Sequence, residues 1–336
     1  MASFIAARQE QYEGCLLGLA LGDALGAPVE FLELTEIRRE YGPEGITGLE
    51  RWREFRPGSF TDDTQMSLAT ARGCIDAYLA LRHGDTWRPA RMIYGRYLAW
   101  LKTQEIPYMN RAPGSTCLWA LRSGRAGTIM SPINSRKGCG GVMRAAPAGL
   151  AFPPAQAFIY GAEFAALTHG HPSGYLPAGV LADVVARLLE GCELAEAVER
   201  ASTDLVRWPG HEETLASVQD AVSLAAAGMS PAAAIQRLGG GWVGEEALAI
   251  SLYCALSFAD DWEGGVLAAV NHSGDSDSTG CITGAVLGTK LGCGALPDPW
   301  LNELESASGI RALAADLFRV VREGASSTPG GDSWPR

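Results

Sequence analysis

The sequence has little of what several functional classes require. It carries no block of Lys or Arg suited to a nucleic-acid backbone, and 38 acidic against 27 basic residues leave a formal net charge of −11. Nucleic acid is therefore not expected as a partner. No uninterrupted apolar stretch approaches the ~20 residues of a membrane span. The start, MASFIAARQEQYEG, lacks the charged region and apolar core of a signal peptide. Eight cysteines stand at wide spacings without a C-x-x-C pair, which removes the common zinc pattern and leaves free thiols as the reading. Runs of alternating apolar and polar residues are scarce, so half-buried strands are not expected. These absences together describe a soluble, cytoplasmic, all-α protein.

What is present fits a packed core: 47% of the 336 residues are hydrophobic and 19% charged. Leu68, Ala71, Ile75 and Leu79 share one face of a helix expected to begin just after Thr64, and Val180, Val184 and Leu188 do the same after Pro177. Further helices are expected over roughly 9–26, 89–103, 155–168, 193–206, 212–227, 245–258, 279–291 and 308–322, separated by breakers such as Pro113-Gly114 and Gly239-Gly240-Gly241. One domain over 1–325 with a flexible tail at 326–336 follows from this punctuation. Glycine is abundant, and inside a helix each one costs ~1 kcal/mol relative to Ala. Gly14, Gly18, Gly22 and Gly26 recur every fourth residue, as do Gly280, Gly284, Gly288 and Gly292. Each series lines one stripe of its helix, where small residues allow close backbone approach.

Two acidic loops carry the chemistry. Thr61-Asp62-Asp63-Thr64 runs directly into an amphipathic helix, and Asp275-Ser276-Asp277-Ser278 opens a helix rich in small residues. Each alone reads as a helix cap, because acids and hydroxyls satisfy free amides at the positive helix end. Taken together, four carboxylates and two hydroxyls suit two hard divalent cations. Such ions ~3.5–4 Å apart would share a water and make it a nucleophile. An EF-hand is excluded, since no glutamate stands at the twelfth position of a loop starting at Asp275. Asp23, mid-helix in an apolar run, reads as a structural acid that bonds a neighbouring helix start. Glu30 follows Pro28, which should end that helix and lift the carboxylate onto a loop. Lys137-Gly138-Cys139-Gly140-Gly141-Val142-Met143-Arg144 offers bare amides suited to diphosphate. In Thr168-His169-Gly170-His171-Pro172 the i, i+2 histidine spacing does not resemble a helical zinc pair, so hydrogen bonding is the reading.

Together these segments resemble the ADP-ribosylglycohydrolase family, from GCLLGLALGDALGAPVEF through GSFTDDTQM, GCGGVMRAAP and THGHPSGY to GDSDSTGCITGAVLG. The resemblance implies an orthogonal all-α bundle with two Mg²⁺ or Mn²⁺ ions at its centre. It also implies an enzyme that hydrolyses the bond between ADP-ribose and a modified protein or small molecule. Thr61, Asp62 and Asp63 match one set of metal ligands and Asp275, Asp277 and Ser278 the other, with Asp277 as the bridge. Glu30 matches a flap glutamate, and Glu30 or Asp62 is expected to handle the proton. Gly138, Gly140, Gly141, Met143 and Arg144 match the diphosphate border, and His169, Gly174 and Tyr175 a ligand-lining loop. Three positions depart from the pattern: Cys139 replaces a frequent Asn, Lys137 a Tyr that stacks on adenine, and Ser278 the more usual Thr. Arginine-linked ADP-ribose is the favoured substrate, with serine-linked or nucleic-acid-linked ADP-ribose as alternatives. A dinuclear nucleotide phosphohydrolase and a non-catalytic ADP-ribose-binding protein are the rival classes. The protein is expected to be a monomer.

Overall fold

A computed structural model describes residues 8–324; the tail expected at 326–336 lies outside them. The described residues form helices α1 (Gln9–Gly26), α2 (Leu34–Tyr41), α3 (Asp62–Arg82), α4 (Pro89–Thr103), α5 (Ser115–Arg122), α6 (Ala146–Ala151), α7 (Pro154–Ala166) and α8 (Pro172–Leu189). They continue with α9 (Leu194–Leu205), α10 (Glu212–Ala226), α11 (Pro231–Leu238), α12 (Gly244–Ser257), α13 (Trp262–Val270), α14 (Ser276–Leu291), α15 (Asp298–Glu303) and α16 (Ala307–Phe318). Two isolated bridges, Trp52 with Phe55 and Gly138 with Val243, are the only β pairing among the described residues. No described helix is long and apolar enough to cross a membrane.

The centre is the pair α1 and α14, which run antiparallel and are buried along most of their length. The two glycine series face each other across this seam, Gly14 against Gly288, Gly18 against Gly284 and Gly22 against Gly280. A Cβ on Gly22 would fall 2.0 Å from the carbonyl oxygen of Gly280, far inside van der Waals contact. The helix-propensity penalty of these glycines is thus offset by contact between two backbones. Outer helices are amphipathic by comparison: α9 buries Leu194, Ala197, Val198, Ala201 and Leu205 and leaves its other face to solvent.

Three boundaries differ from expectation. The α3 helix begins at Asp62 rather than after Thr64, because the Thr61 side chain accepts from the Asp63 amide and caps it. The α14 helix starts at Ser276, before the expected 279, so Asp277 lies in its first turn. Pro177 does not delay α8, which starts at Pro172 with His171 as cap. The missing amide of Pro177 frees the Ser173 carbonyl, and Gly244 packs against that carbonyl so closely that a Cβ would lie 2.5 Å away. Short helices α2, α5, α6, α11, α13 and α15 were not expected from periodicity, since six to nine residues barely sample it.

Candidate active site

The seam ends at the site. Asp23, near the C-terminal end of α1, is fully buried and accepts from the Thr61 amide at 2.9 Å, the Thr64 amide at 2.9 Å and the Thr64 hydroxyl at 2.6 Å. It therefore fixes the start of α3 against α1, the structural role expected of it. Burial, then the neighbouring Asp277 charge, pushes its carboxyl up to about 7. Beyond Gly26 the chain makes a tight turn in which the Val29 and Glu30 amides donate to the Gly26 carbonyl. Phe31 closes that turn with a left-handed φ of 69°, a strained value for a side chain with a Cβ.

These elements line a cleft of about 420 Å³. At one end the lining contains Glu30, Asp62, Asp63, Asp275, Asp277 and Ser278. Carboxylate oxygens of Glu30, Asp275 and Asp277 lie within 4.8 Å of one another. Ser278 Oγ donates to Asp63 at 2.7 Å, so the starts of α14 and α3 meet directly. The Gly114 amide donates to Asp62 at 3.3 Å. Thr61 is buried, caps α3 and hydrogen-bonds Asp277 through its side chain. Cys139 donates its thiol hydrogen to Asp275 at 2.8 Å, so the residue that departs from the family pattern touches the acids directly.

No Lys or Arg among the described residues lines the cleft, and the carboxyls respond accordingly. Burial first, and then Asp277, Asp275 and Asp62, push Glu30 up to about 10. Asp62 and Asp63 are raised well above the usual carboxylate range by burial and next by Asp277, and Asp277 by burial and next by Asp275. Asp275 is raised too, by burial, against hydrogen bonds that lower it. A set of oxygen donors this crowded, with the Arg53 charge acting on Glu30 alone, fits hard divalent cations.

The other end of the cleft is neutral. Gly138, Gly140, Met143 and His169 line it. Gly141, Gly174 and Tyr175, expected near the ligand, are absent from the lining: a Cβ on Gly141 would meet the Gly174 carbonyl at 2.4 Å, so the two glycines pack the Gly-rich loop onto α8. Tyr175 is buried in α8. His169 is held well below the ordinary imidazole range, at about 3, by burial and then by the Arg144 charge. Arg144 lies outside the lining, fully buried, with its guanidinium 4.3 Å from the Tyr97 ring centre. Lys137 turns away to pair with Glu245 at 2.5 Å and Glu213 at 3.1 Å.

Sequence reasoning missed part of the wall. Ala112 to Cys117, at the start of α5, and Trp242 both line the cleft. The first stretch spans Pro113-Gly114 and Trp242 follows Gly239-Gly240-Gly241, both of which the sequence marks only as breaks between helices. Phe31, 66% exposed, stacks on Trp242 with ring centres 5.1 Å apart and planes at 22°, so an aromatic pair bridges the mouth. Exposed aromatics beside glycine-rich breaks were the available signal.

The sequence profile described as ADP-ribosylglycohydrolase matches residues 5–326. The chain is 30% identical over 302 residues to the ADP-ribosyl-[dinitrogen reductase] glycohydrolase of Rhodospirillum rubrum, covering 87% of this chain and 89% of that one. It is 23% identical over 321 residues to the ADP-ribosylarginine hydrolase Tri1 of Serratia proteamaculans, covering 94% and 80%. A solved structure titled ADP-ribosylglycohydrolase-related protein complex superposes with a TM-score of 0.66 at 27% identity, over 94% of this chain and 99% of that one.

Proposed function

The chain belongs to the ADP-ribosylglycohydrolase family, and from that premise we propose that it hydrolyses the bond joining ADP-ribose to arginine in a modified protein or small molecule, using two Mg²⁺ or Mn²⁺ ions. The observation that carries this reading is the convergence of five carboxylates from three distant segments on one end of a cleft without a basic side chain. Thr61, Asp62 and Asp63 would hold one ion and Asp275, Asp277 and Ser278 the other, with Asp277 shared. Ions bound there supply Lewis-acid polarisation of the ribose hydroxyls and a nucleophilic water near neutral pH.

The chain's own residues divide the remaining work. Glu30 stands on the turn after α1, facing the acids, and it or Asp62 takes the proton that must move as the bond breaks. Gly138, Gly140, Met143 and His169 receive the nucleotide, so the anomeric carbon is directed toward the carboxylates. Phe31 and Trp242 cover the mouth and limit water entry. Arginine is favoured as the linked group because Glu30, on the turn beside the acids, could hold its guanidinium by paired hydrogen bonds. The Serratia relative is named for that linkage.

The test is a panel of ADP-ribosylated arginine, serine and nucleic-acid substrates incubated with Mg²⁺ or Mn²⁺ and scored for free ADP-ribose. Release from the arginine compound, lost on chelation, is the expected result. Appearance of AMP in place of ADP-ribose would mean phosphoanhydride cleavage and overturn the proposal. Cleavage of the serine compound alone would overturn the arginine assignment.

A further inference from the structure

Arg144 is a buried cation without a counter-ion. Its residue is 1% exposed, and no carboxylate among the described residues pairs with it. Nη1 points at sulfur, 3.2 Å from Met66 and 3.4 Å from Cys117, and Nε has no hydrogen-bond partner. Leaving a guanidinium so poorly compensated is expensive. Besides the Tyr97 ring, 4.3 Å away, its closest partner is Thr168, to whose Oγ1 its Nη2 donates at 2.5 Å.

That contact determines where the Thr168 hydroxyl hydrogen goes. A hydroxyl has one hydrogen to give, and three acceptors are within reach: His169 Nδ1 at 2.8 Å, the Ala165 carbonyl at 3.4 Å, and the Cys117 sulfur, a weak acceptor that already takes a hydrogen from Arg144 Nη1. The Ala165 carbonyl already accepts from the Thr168 and His169 amides at 3.1 and 3.0 Å. Distance and prior occupation both direct the hydrogen to Nδ1. The Arg144 charge acts in the same sense, since a lone pair facing a cation is favoured over an N–H dipole facing it. With Nδ1 as acceptor and the ring neutral, the imidazole hydrogen sits on Nε2. The Nε2 side of the ring lies against Gly138 and Gly140, where both glycines line the cleft.

We propose that Arg144 is a positioning residue: acting through Thr168, it fixes His169 as the Nε2–H tautomer and so makes the ring a hydrogen-bond donor to an acceptor oxygen of the occupant. Naming that oxygen as a phosphoryl oxygen of ADP-ribose rests on the proposed function; the tautomer does not. A bare Gly138–Gly140 loop leaves room for such an oxygen beside the ring. The absence of a surface arginine at this end is then understandable, because the cation acts from behind the histidine.

The tautomer can be read without ligand or turnover. Long-range ¹H–¹⁵N correlation on the ¹⁵N-labelled full chain should show His169 with an unprotonated Nδ1 and a protonated Nε2. Thr168→Val, nearly isosteric, should abolish this pattern, and Thr168→Ser should restore it. Arg144→Met, which fills the site with apolar volume, should shift the ring away from the single tautomer while circular dichroism reports an intact fold. Calorimetry with ADP-ribose should show Thr168→Val binding ~10-fold more weakly and Thr168→Ser near wild type. A protonated Nδ1 in the wild type, or an unchanged tautomer in both Thr168→Val and Arg144→Met, would overturn the proposal. If the tautomer behaves as expected and ADP-ribose binds to none of the proteins, the proposed function fails and the Arg144 assignment stands.

Discussion

At one end of the cleft five carboxylates face one another with no basic side chain in the lining; at the other, an arginine lies buried behind a neutral histidine and two glycines. Each end is electrostatically incomplete, in opposite senses. The acids repel one another, and the arginine has no carboxylate partner among the described residues. Local conflict of this kind in an otherwise consistent core marks the positions where ligands finish the structure. A ligand with a metal-seeking ribose and an anionic diphosphate suits both regions, its diphosphate meeting the His169 N–H while the arginine stays behind the ring.

The strongest way to break this comparison is to remove acids from the crowded end. Asp62→Ala or Asp277→Ala should lower kcat by ~10³-fold or more, as loss of several kcal/mol of metal assistance implies. The melting temperature of the metal-free variants should not fall, because each substitution relieves like-charge crowding. Unimpaired turnover in either variant would detach the acids from the reaction.

A less direct disturbance comes from the seam. A Cβ on Gly26 would fall 2.4 Å from the Asp277 amide nitrogen, so Gly26→Ala should shift Asp277 without touching any acid. Manganese affinity, followed by electron paramagnetic resonance, should drop ~10–100-fold, the range seen when the support of a metal ligand is disturbed. Unchanged affinity would show that the seam and the acidic end are independent.

Metal removal tests the same end thermodynamically. Burial and mutual repulsion raise Asp23 to about 7 and Glu30 to about 10. Between the ordinary carboxylate range and these values the folded state binds protons that the unfolded state has released. The contribution of these carboxyls to the stability of the metal-free protein is therefore fully present at acid pH and is lost as pH rises, whereas His169, held at about 3, acts in the opposite sense below the ordinary imidazole range. Above that range, where the imidazole is neutral in both states, urea melts should show a fall of ~1–2 kcal/mol between about pH 7 and about pH 9. Mg²⁺ or Mn²⁺ at ~100 times its Kd should add ~2.7 kcal/mol at the higher pH. Stability that rises with pH above about pH 7 in the absence of metal would contradict the crowding described here.

The smallest effect is expected at the mouth. Phe31→Ala removes the stacking partner of Trp242 and leaves the acids in place. KM should rise a few-fold with kcat nearly unchanged, since an aromatic pair contributes about 0.5–1.5 kcal/mol. A large loss of kcat would mean that the pair shapes Glu30 as well as the entrance.

Much of this was legible before the structure, for physical reasons that differ by residue. The four-residue glycine repeats declared two helix stripes built for close contact, and the two hydroxyl-acid clusters declared their chemistry through composition. Asp23 could be assigned to a helix start because a lone acid in an apolar run needs donors. The pairing of Gly22 with Gly280, or of Ser278 with Asp63, is not written in any local period; it follows only once the segments meet. Trp242 and the Ala112–Cys117 wall were invisible because breakers mark where helices end and not what the ends surround. Arg144 was legible as a neighbour of the Gly-rich loop, but its isolation is a property of what does not surround it, which no sequence spacing records.

The glycine seam also imposes an order of events during synthesis. The stripe of α1 emerges from the ribosome early, and its partner in α14 follows roughly 250 residues later, a delay of roughly tens of seconds at ordinary elongation rates. Throughout that interval the nascent chain displays an apolar helix whose mate does not yet exist, which makes it a natural client for chaperones. The second acid cluster arrives with the late helix, so an interrupted translation product never assembles a working cleft. Copies of this protein terminated before α14 are therefore inert rather than partly active.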